Sequence, residues 1–318
     1  MKRHIILLAV SSIVLTQLTA FAQNTLISGD IGTAGNWDDN VLPTDLFNPG
    51  IIDSSNTGAN EGLLSTTYNN LAVLQTGGDV VRSGFGSSIF ETVNWEMTGG
   101  TFTSTSLGHQ LNTSSVFEVN GGAASFSGLT VRSSTVNVIS GTLSTNSDLS
   151  SQGGAILNFS GGVITIGRDA MIGFQPTATY NFSGAADFDV TRHFGEIDAG
   201  VRTVNILGGT GTVDVGGNFE VDGMVVDWTS GSGYTITAAS LLDNGAATTW
   251  ETLWNAGQLT LDGGNVGTFG DHFVISGSSL SLIIPEPSAY ALAFGAIALA
   301  VGLRRRREGQ LKGSNGCQ

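Results

Sequence analysis

The sequence predicts an all-β protein: a parallel β-helix, or solenoid, of about 20–24-residue rungs with capping ends, plus one short C-terminal transmembrane helix. Three observations predict it. Of 318 residues 46 are Gly and only 12% are charged, which suits short strands with tight corners and excludes a coiled coil or a long solvated helix. Six segments share one pattern: an alternating apolar run, a Gly turn, then a second alternating run. The first Gly of each turn falls at 99, 121, 141, 161, 184 and 208, in steps of 22, 20, 20, 23 and 24 residues. One such unit cannot bury its apolar side alone, whereas stacked copies bury a continuous core. A two-sheet β-sandwich with hairpins every 10–12 residues is the alternative arrangement of the same segments.

Composition closes several other classes. A single Cys excludes a disulfide scaffold and any Cys-built zinc site within one chain. The net charge of −14 argues against nucleic acid as a partner, because phosphate needs a basic face. Hydrophobic residues at 40% are enough to build a core, so wholesale disorder is not expected.

The elements follow in chain order. Residues 1–22 read as a signal peptide: Lys2 and Arg3, an apolar run from Ile5 to Leu18, then Ala20-Phe21-Ala22 with small residues where signal peptidase reads. Cleavage there makes Gln23 the first mature residue; a buried N-terminal strand is the other reading of the run. Residues 23–92 form an N-terminal capping region. It carries Gly35-Asn36-Trp37-Asp38-Asp39-Asn40-Val41-Leu42-Pro43 and then Ile51-Ile52-Asp53. The G-N-W…P arrangement resembles the opening of exported bacterial proteins with autotransporter-like β repeats. Trp37 is expected to close the open end of the core.

Residues 93–218 hold the repeats, each read as two short strands joined at Gly. Asn94, Asn137, Asn158, Asn181 and Asn205 stand at a matching place before the turn in five of the six copies. Stacked, they would form an amide ladder; the other reading is that Asn simply favours turns. Residues 219–284 read as a C-terminal β cap. Strands are expected at Phe219–Trp228, Tyr234–Thr237, Leu259–Leu261, His272–Ser276 and Leu280–Ile284, and helical turns at Ala238–Asp243 and Thr249–Asn255. Trp250, Leu253 and Trp254, at i, i+3 and i+4, read as buried cap residues, with a sugar-stacking platform as the alternative use of the two Trp.

Residues 285–308 differ in kind. Pro285-Glu286-Pro287 leads into an uncharged apolar stretch, and Arg304, Arg305, Arg306 and Arg307 close it. A transmembrane helix is expected over 288–303; its apolar part, 289–303, gives about 22 Å at 1.5 Å per residue, short of a roughly 30 Å hydrocarbon core. Snorkelling Arg side chains and local thinning meet the shortfall, and the positive-inside rule places the Arg cluster in the cytoplasm. An ordinary C-terminal anchor is one reading. The ordered Pro-Glu-Pro, spanning segment and Arg cluster resemble the PEP-CTERM sorting tail of Gram-negative bacteria. The resemblance implies processing by an exosortase near Pro-Glu-Pro, a membrane-anchored precursor, and delivery to the cell surface or to an extracellular matrix rich in exopolysaccharide. Residues 309–318, with Lys312 and Cys317, extend beyond where such tails usually stop.

Without its two ends the chain is strongly acidic. Between Gln23 and Leu303 the only basic side chains besides His are Arg82, Arg132, Arg168, Arg192 and Arg202, and there is no Lys. Such a body is soluble, self-repelling and at most a weak attractor of divalent cations. The densest ionisable cluster is Asp187, Asp189, Arg192, His193, Glu196 and Asp198. Two carboxylates two residues apart share one strand face and could serve as acid and base on a glycan or bind Ca²⁺; a solvated strand face is the competing reading. His109 and His272 lack metal-ligand spacing. The run from Gly208 to Asp214 approaches a calcium nonapeptide, but its Asp is one residue late, which reverses the side chain. Asn112, Asn158 and Asn181 begin N-x-[ST] sequons that carry little information here. The expectation is therefore a structural, non-enzymatic protein without cofactor or metal; the alternative is a carbohydrate-binding or polysaccharide-degrading β-helix.

Overall fold

A computed structural model of the protein describes residues 25–283 except 27–30, 32–33, 40, 45, 47–48, 54, 56–66, 83–86, 106–107, 173–176 and 196–200. The chain divides into two units, Met1–Leu282 and Ile283–Gln318. The first contains a parallel β-solenoid of about seven turns with rungs of about 22 residues. Strand pairing is parallel throughout the stack, so the sandwich alternative is excluded.

Each rung has three strands, one more than the sequence pattern suggests. The first face stacks Ala72–Gln75, Asn94–Met97, 116–119, 135–138, Ala155–Phe159, Ala178–Phe182, Arg202–Ile206 and Met224–Trp228. The second stacks Asp79–Arg82, Thr101–Ser104, 123–126, 142–145, Val163–Ile166, Asp187–Val190, 212–215 and 235–238. The third runs from Thr67–Asn69 through Ser87–Glu91, Gly108–Asn112, Leu129–Arg132 and Leu149–Gln152 to 218–220 and 240–242. The third-face strands were missed because they are short and polar outward, as in Leu149-Ser150-Ser151-Gln152. The parallel stack also outruns the expected 93–218 at both ends, taking in strands Gly50–Ile52, Thr67–Asn69, Ala72–Gln75, Asp79–Arg82 and Ser87–Glu91 before it and Met224–Trp228, Thr235–Asp243 and Leu259–Leu261 after it.

Alternation decides which side chains fill the core. In Ala155–Phe159, residues 155, 157 and 159 are buried and 156 and 158 are not. Stacked rungs bring like side chains together, so Phe90, Trp95, Phe102, Phe117 and Phe126 form one aromatic column with ring centroids 5.1–6.4 Å apart. Phe159, Tyr180, Phe182, Phe188 and Phe194 form a second. Burying each ring contributes about 1.5–3 kcal/mol, and edge-to-face pairs such as Tyr180–Phe194 add to this.

The Gly corners lie between the first and second faces and fall into two columns. A Cβ at Gly99, Gly121, Gly161 or Gly184 would collide with the carbonyl oxygen of Thr76, Thr98, Ile139 or Ser160 on the preceding rung. A Cβ at Gly100, Gly122, Gly141 or Gly162 would strike the glycine pair or its equivalent one rung earlier. Gly141 thus belongs to the second column, and Ser140 holds its rung's first-column position opposite Asn120. Gly208 departs too: nothing lies within 4 Å of its Cβ position, and it is Gly209 that abuts Gly184. Longer corners in the last rungs cause this shift. Tyr234 spans them, its hydroxyl donating to Ser183 O (2.6 Å) and accepting from Ala186 N (3.2 Å).

Both ends of the stack are closed. Trp37 is fully buried, packs against Gly50 and donates its indole N–H to Ile31 O at 3.0 Å. At the other end Ser279–Leu282 pairs antiparallel with Thr235–Asp243 and with Phe273–Ser276, which stops parallel growth. Helix α1 (Trp250–Ala256) buries Trp250, Leu253 and Trp254; the Thr249 side chain caps its N-terminus and Gly257, at φ 75°, ends it. The expected helical turn at Ala238–Asp243 is instead strand, because its backbone pairs with 215–220 of the rung below. The expected strand Phe219–Trp228 breaks between Glu220 and Met224 at the turn carrying Gly223. No helix among the described residues is long and apolar enough to cross a membrane, and the helix expected over 288–303 lies outside those residues.

Candidate functional site

Outward side chains on a solenoid repeat at rung spacing, so equivalent residues become neighbours along the axis. On the first face this produces the amide ladder. Asn205 Nδ2 donates to Asn181 Oδ1 (2.7 Å), Asn181 to Asn158 (2.7 Å), Asn158 to Asn137 (2.8 Å), and Asn137 to Glu118 Oε2 (3.1 Å). Glu118 can only accept while ionised, which sets the direction of every amide above it. At the far end Asp227 faces Asn205 across the ladder and takes its hydrogen bonds elsewhere, from Thr260 Oγ1 (2.6 Å) and Gly263 N (2.9 Å). Asn94 is not a rung of this ladder. It pairs with Ala72 and Val116, and the ladder position in its strand is Glu96. Asn158 and Asn181, which begin sequons, are both committed to it.

The ionisable cluster found in the sequence separates into two places. Asp187 and Asp189 do point to one side of the second face, where Asp214 stacks on Asp189 and Thr212 Oγ1 donates to Asp187 at 3.2 Å. Partial burial, then the charges of Asp214 and Asp187, push the Asp189 carboxyl above its usual range. Val213 faces inward and Asp214 outward, so the Asp of the Gly208–Asp214 run points away from the side a calcium nonapeptide needs, and the near-match fails as expected. Arg192 and His193 lie on the next corner and face the preceding rung. Arg192 forms a two-pronged ion pair with Asp169, and His193 N donates to the same carboxylate at 3.2 Å. Burial opposes ionisation of Asp169, but the Arg192 hydrogen bonds and charge, with His193, outweigh it and hold the carboxyl low. One rung earlier Arg168 grips Asp148 at 2.8 and 2.6 Å. Glu196 and Asp198 lie outside the described residues.

These corner pairs were overlooked, although Asp148, Arg168-Asp169 and Arg192 recur at 20- and 24-residue steps, the rung length itself. His109 is fully buried between Phe90, Phe102 and Phe126, and its Nδ1 shares a 2.5 Å hydrogen bond with Ser88 Oγ. Burial first, and then the charge of Arg82, push its imidazole down to about 3. Among the described residues no group of three or more His, Cys, Asp or Glu could hold a metal ion. Trp250 and Trp254 are 6% and 2% exposed, which leaves neither face open for stacking a sugar. A shallow cleft of about 380 Å³ beside Trp250 is lined by Leu241, Thr248, Ile275 and Ser278.

Ala20, Ala22 and Gln23, the processing residues Pro285, Glu286 and Pro287, the cluster Arg304, Arg305, Arg306 and Arg307, and Cys317 all lie outside the described residues. Comparison with family models, with curated proteins and with solved structures finds no match to this chain.

Proposed function

We propose that this chain is the precursor of an exported, structural surface or matrix component of a Gram-negative bacterium, sorted through its C-terminal tail by an exosortase. The observation that carries the reading is the ordered tail: Pro285-Glu286-Pro287, an uncharged apolar segment and four consecutive Arg. Two structural facts support it. The last strand among the described residues ends at Leu282, three residues before Pro285, so cleavage near the motif removes none of the described strands. Among the described residues the first in a β-bridge is Thr25, whose N–H reaches Asp38 at 3.0 Å, so signal peptidase cleavage after Ala22 removes none of the described pairings. The mature body then serves as a stiff acidic display element. Its partners are signal peptidase, the exosortase, the membrane through the precursor's 288–303 helix, and exopolysaccharide at the destination.

Intact mass of the protein recovered from an exosortase-bearing host tests this. The expected species starts at Gln23 and lacks Arg304–Gln318, and replacing Arg304–Arg307 by Ala leaves the precursor unprocessed. Recovery of a full tail in the wild type sinks the sorting assignment. The second reading, a carbohydrate-binding or polysaccharide-degrading β-helix, is favoured by the exposed Asp187 and Asp189 carboxylates, the half-buried Asp214 stacked on Asp189, and the raised Asp189. It requires that Asp189→Asn abolish depolymerisation or retention of an acidic glycan.

A further inference from the structure

The β-hairpin that follows the last rung turns through Asn244 and Gly245, with Leu242 opposite Ala247 and Asp243 opposite Ala246. Both turn residues have positive φ, 50° and 70°, the two-residue turn for which Asn-Gly is the preferred pair. Both are exposed. The backbone N–H of Gly245 donates to Oε1 of Glu220 at 3.4 Å. Glu220 is only 4% exposed and reaches the turn from the rung below, 25 residues earlier in the chain. A buried carboxylate is therefore aimed at the one backbone nitrogen that can attack the Asn244 side chain.

We propose that Asn244 is a site of spontaneous deamidation and isoaspartate formation, with Glu220 acting as the base. The Gly245 nitrogen forms a bond to Asn244 Cγ, and its proton passes to the Glu220 carboxylate. The bond from Cγ to the side-chain nitrogen breaks, and ammonia leaves carrying that proton. A succinimide ring remains. Water then opens it at either carbonyl, giving aspartate or isoaspartate; ammonia is lost, water is gained, and nothing is oxidised or reduced. Isoaspartate lengthens the backbone by one carbon within a two-residue turn. It thereby disturbs the Leu242–Ala247 pairing, one residue before Thr248 and the Thr249 cap of α1.

The same dipeptide elsewhere in the fold supplies the internal control. Asn120-Gly121 lies within strand Val116–Phe126, stacked between Thr98 of one rung and Ser140 of the next. No carboxylate accepts from Gly121 there, and rungs on both sides hold the backbone. Asn315-Gly316 lies outside the described residues and is read as a separate peptide.

The test is peptide mapping of the purified full chain during incubation in mildly alkaline buffer, with isoaspartate counted by isoaspartyl methyltransferase labelling. Asn244 is expected to convert while Asn120 stays amidated, and Glu220→Gln is expected to slow conversion by about tenfold or more, as loss of a positioned base does. Conversion of Asn120 at an equal rate, or an intact Asn244, overturns the site on wild-type protein alone. An unchanged rate in a folded Glu220→Gln protein overturns the role of the carboxylate. Should that variant not fold, Glu220→Asp, which withdraws the oxygen from Gly245, serves the same comparison.

Discussion

His109 shows how a single buried side chain sets a property of the whole fold. Its imidazole is pushed from 6.5 to about 3, so below pH 6.5 the unfolded chain binds a proton that the folded chain refuses. The stability this site contributes is therefore complete above 6.5 and is lost as pH falls toward 3, by about 1.4 kcal/mol per pH unit. Urea midpoints at about pH 7 and about pH 5 should fall less steeply for His109→Leu than for the wild type; identical slopes would show that His109 does not drive the acid sensitivity. Gly161 illustrates a different residue-scale constraint. Its backbone is not in the left-handed region, so Ala there is opposed only by collision with Ile139 O. Gly161→Ala should cost about 3 kcal/mol or more, against much less at Gly264, where nothing lies within 4 Å of the Cβ position. Denaturant unfolding of the two variants makes the comparison.

Among the elements, the amide ladder couples successive rungs in addition to the backbone, the core and the corner ion pairs. Asn181 holds one bond above and one below, so Asn181→Leu should lose about 1–3 kcal/mol at roughly 0.5–1.5 kcal/mol per bond. Asn181→Asp is more telling. A carboxylate still accepts from Asn205 but opposes Asn158 Oδ1, so it should destabilise at neutral pH and recover once the carboxylate is protonated. Asn94→Ala, off the ladder, should change little. The ladder was half legible in the sequence: four of the five Asn are in it, because equal spacing brings them into register. Its ends were not legible, since Glu118 and Asp227 enter by register and not by residue type. The corner pair Asp169–Arg192 was hidden for the same reason, although its 23-residue spacing matches a rung.

For the molecule as a whole, the caps decide whether a parallel stack stays discrete. An open rung offers unpaired backbone to another chain. Trp254 is 2% exposed under the last rung, and Trp254→Ala should cost about 3–5 kcal/mol and promote association as protein concentration rises. Size-exclusion chromatography with light scattering reads this, and a stable monomer would show that the antiparallel strands alone close the end. The sequence by itself determined the rung length and the inward and outward alternation, because each rests on local spacing. Only the tertiary structure decided that a rung has three faces, that Gly141 sits in the second corner column, that the acidic cluster divides, and that Glu220 meets Gly245. Those outcomes depend on register between residues 20 to 25 apart in the chain, and corners of unequal length shift that register in ways no local pattern records.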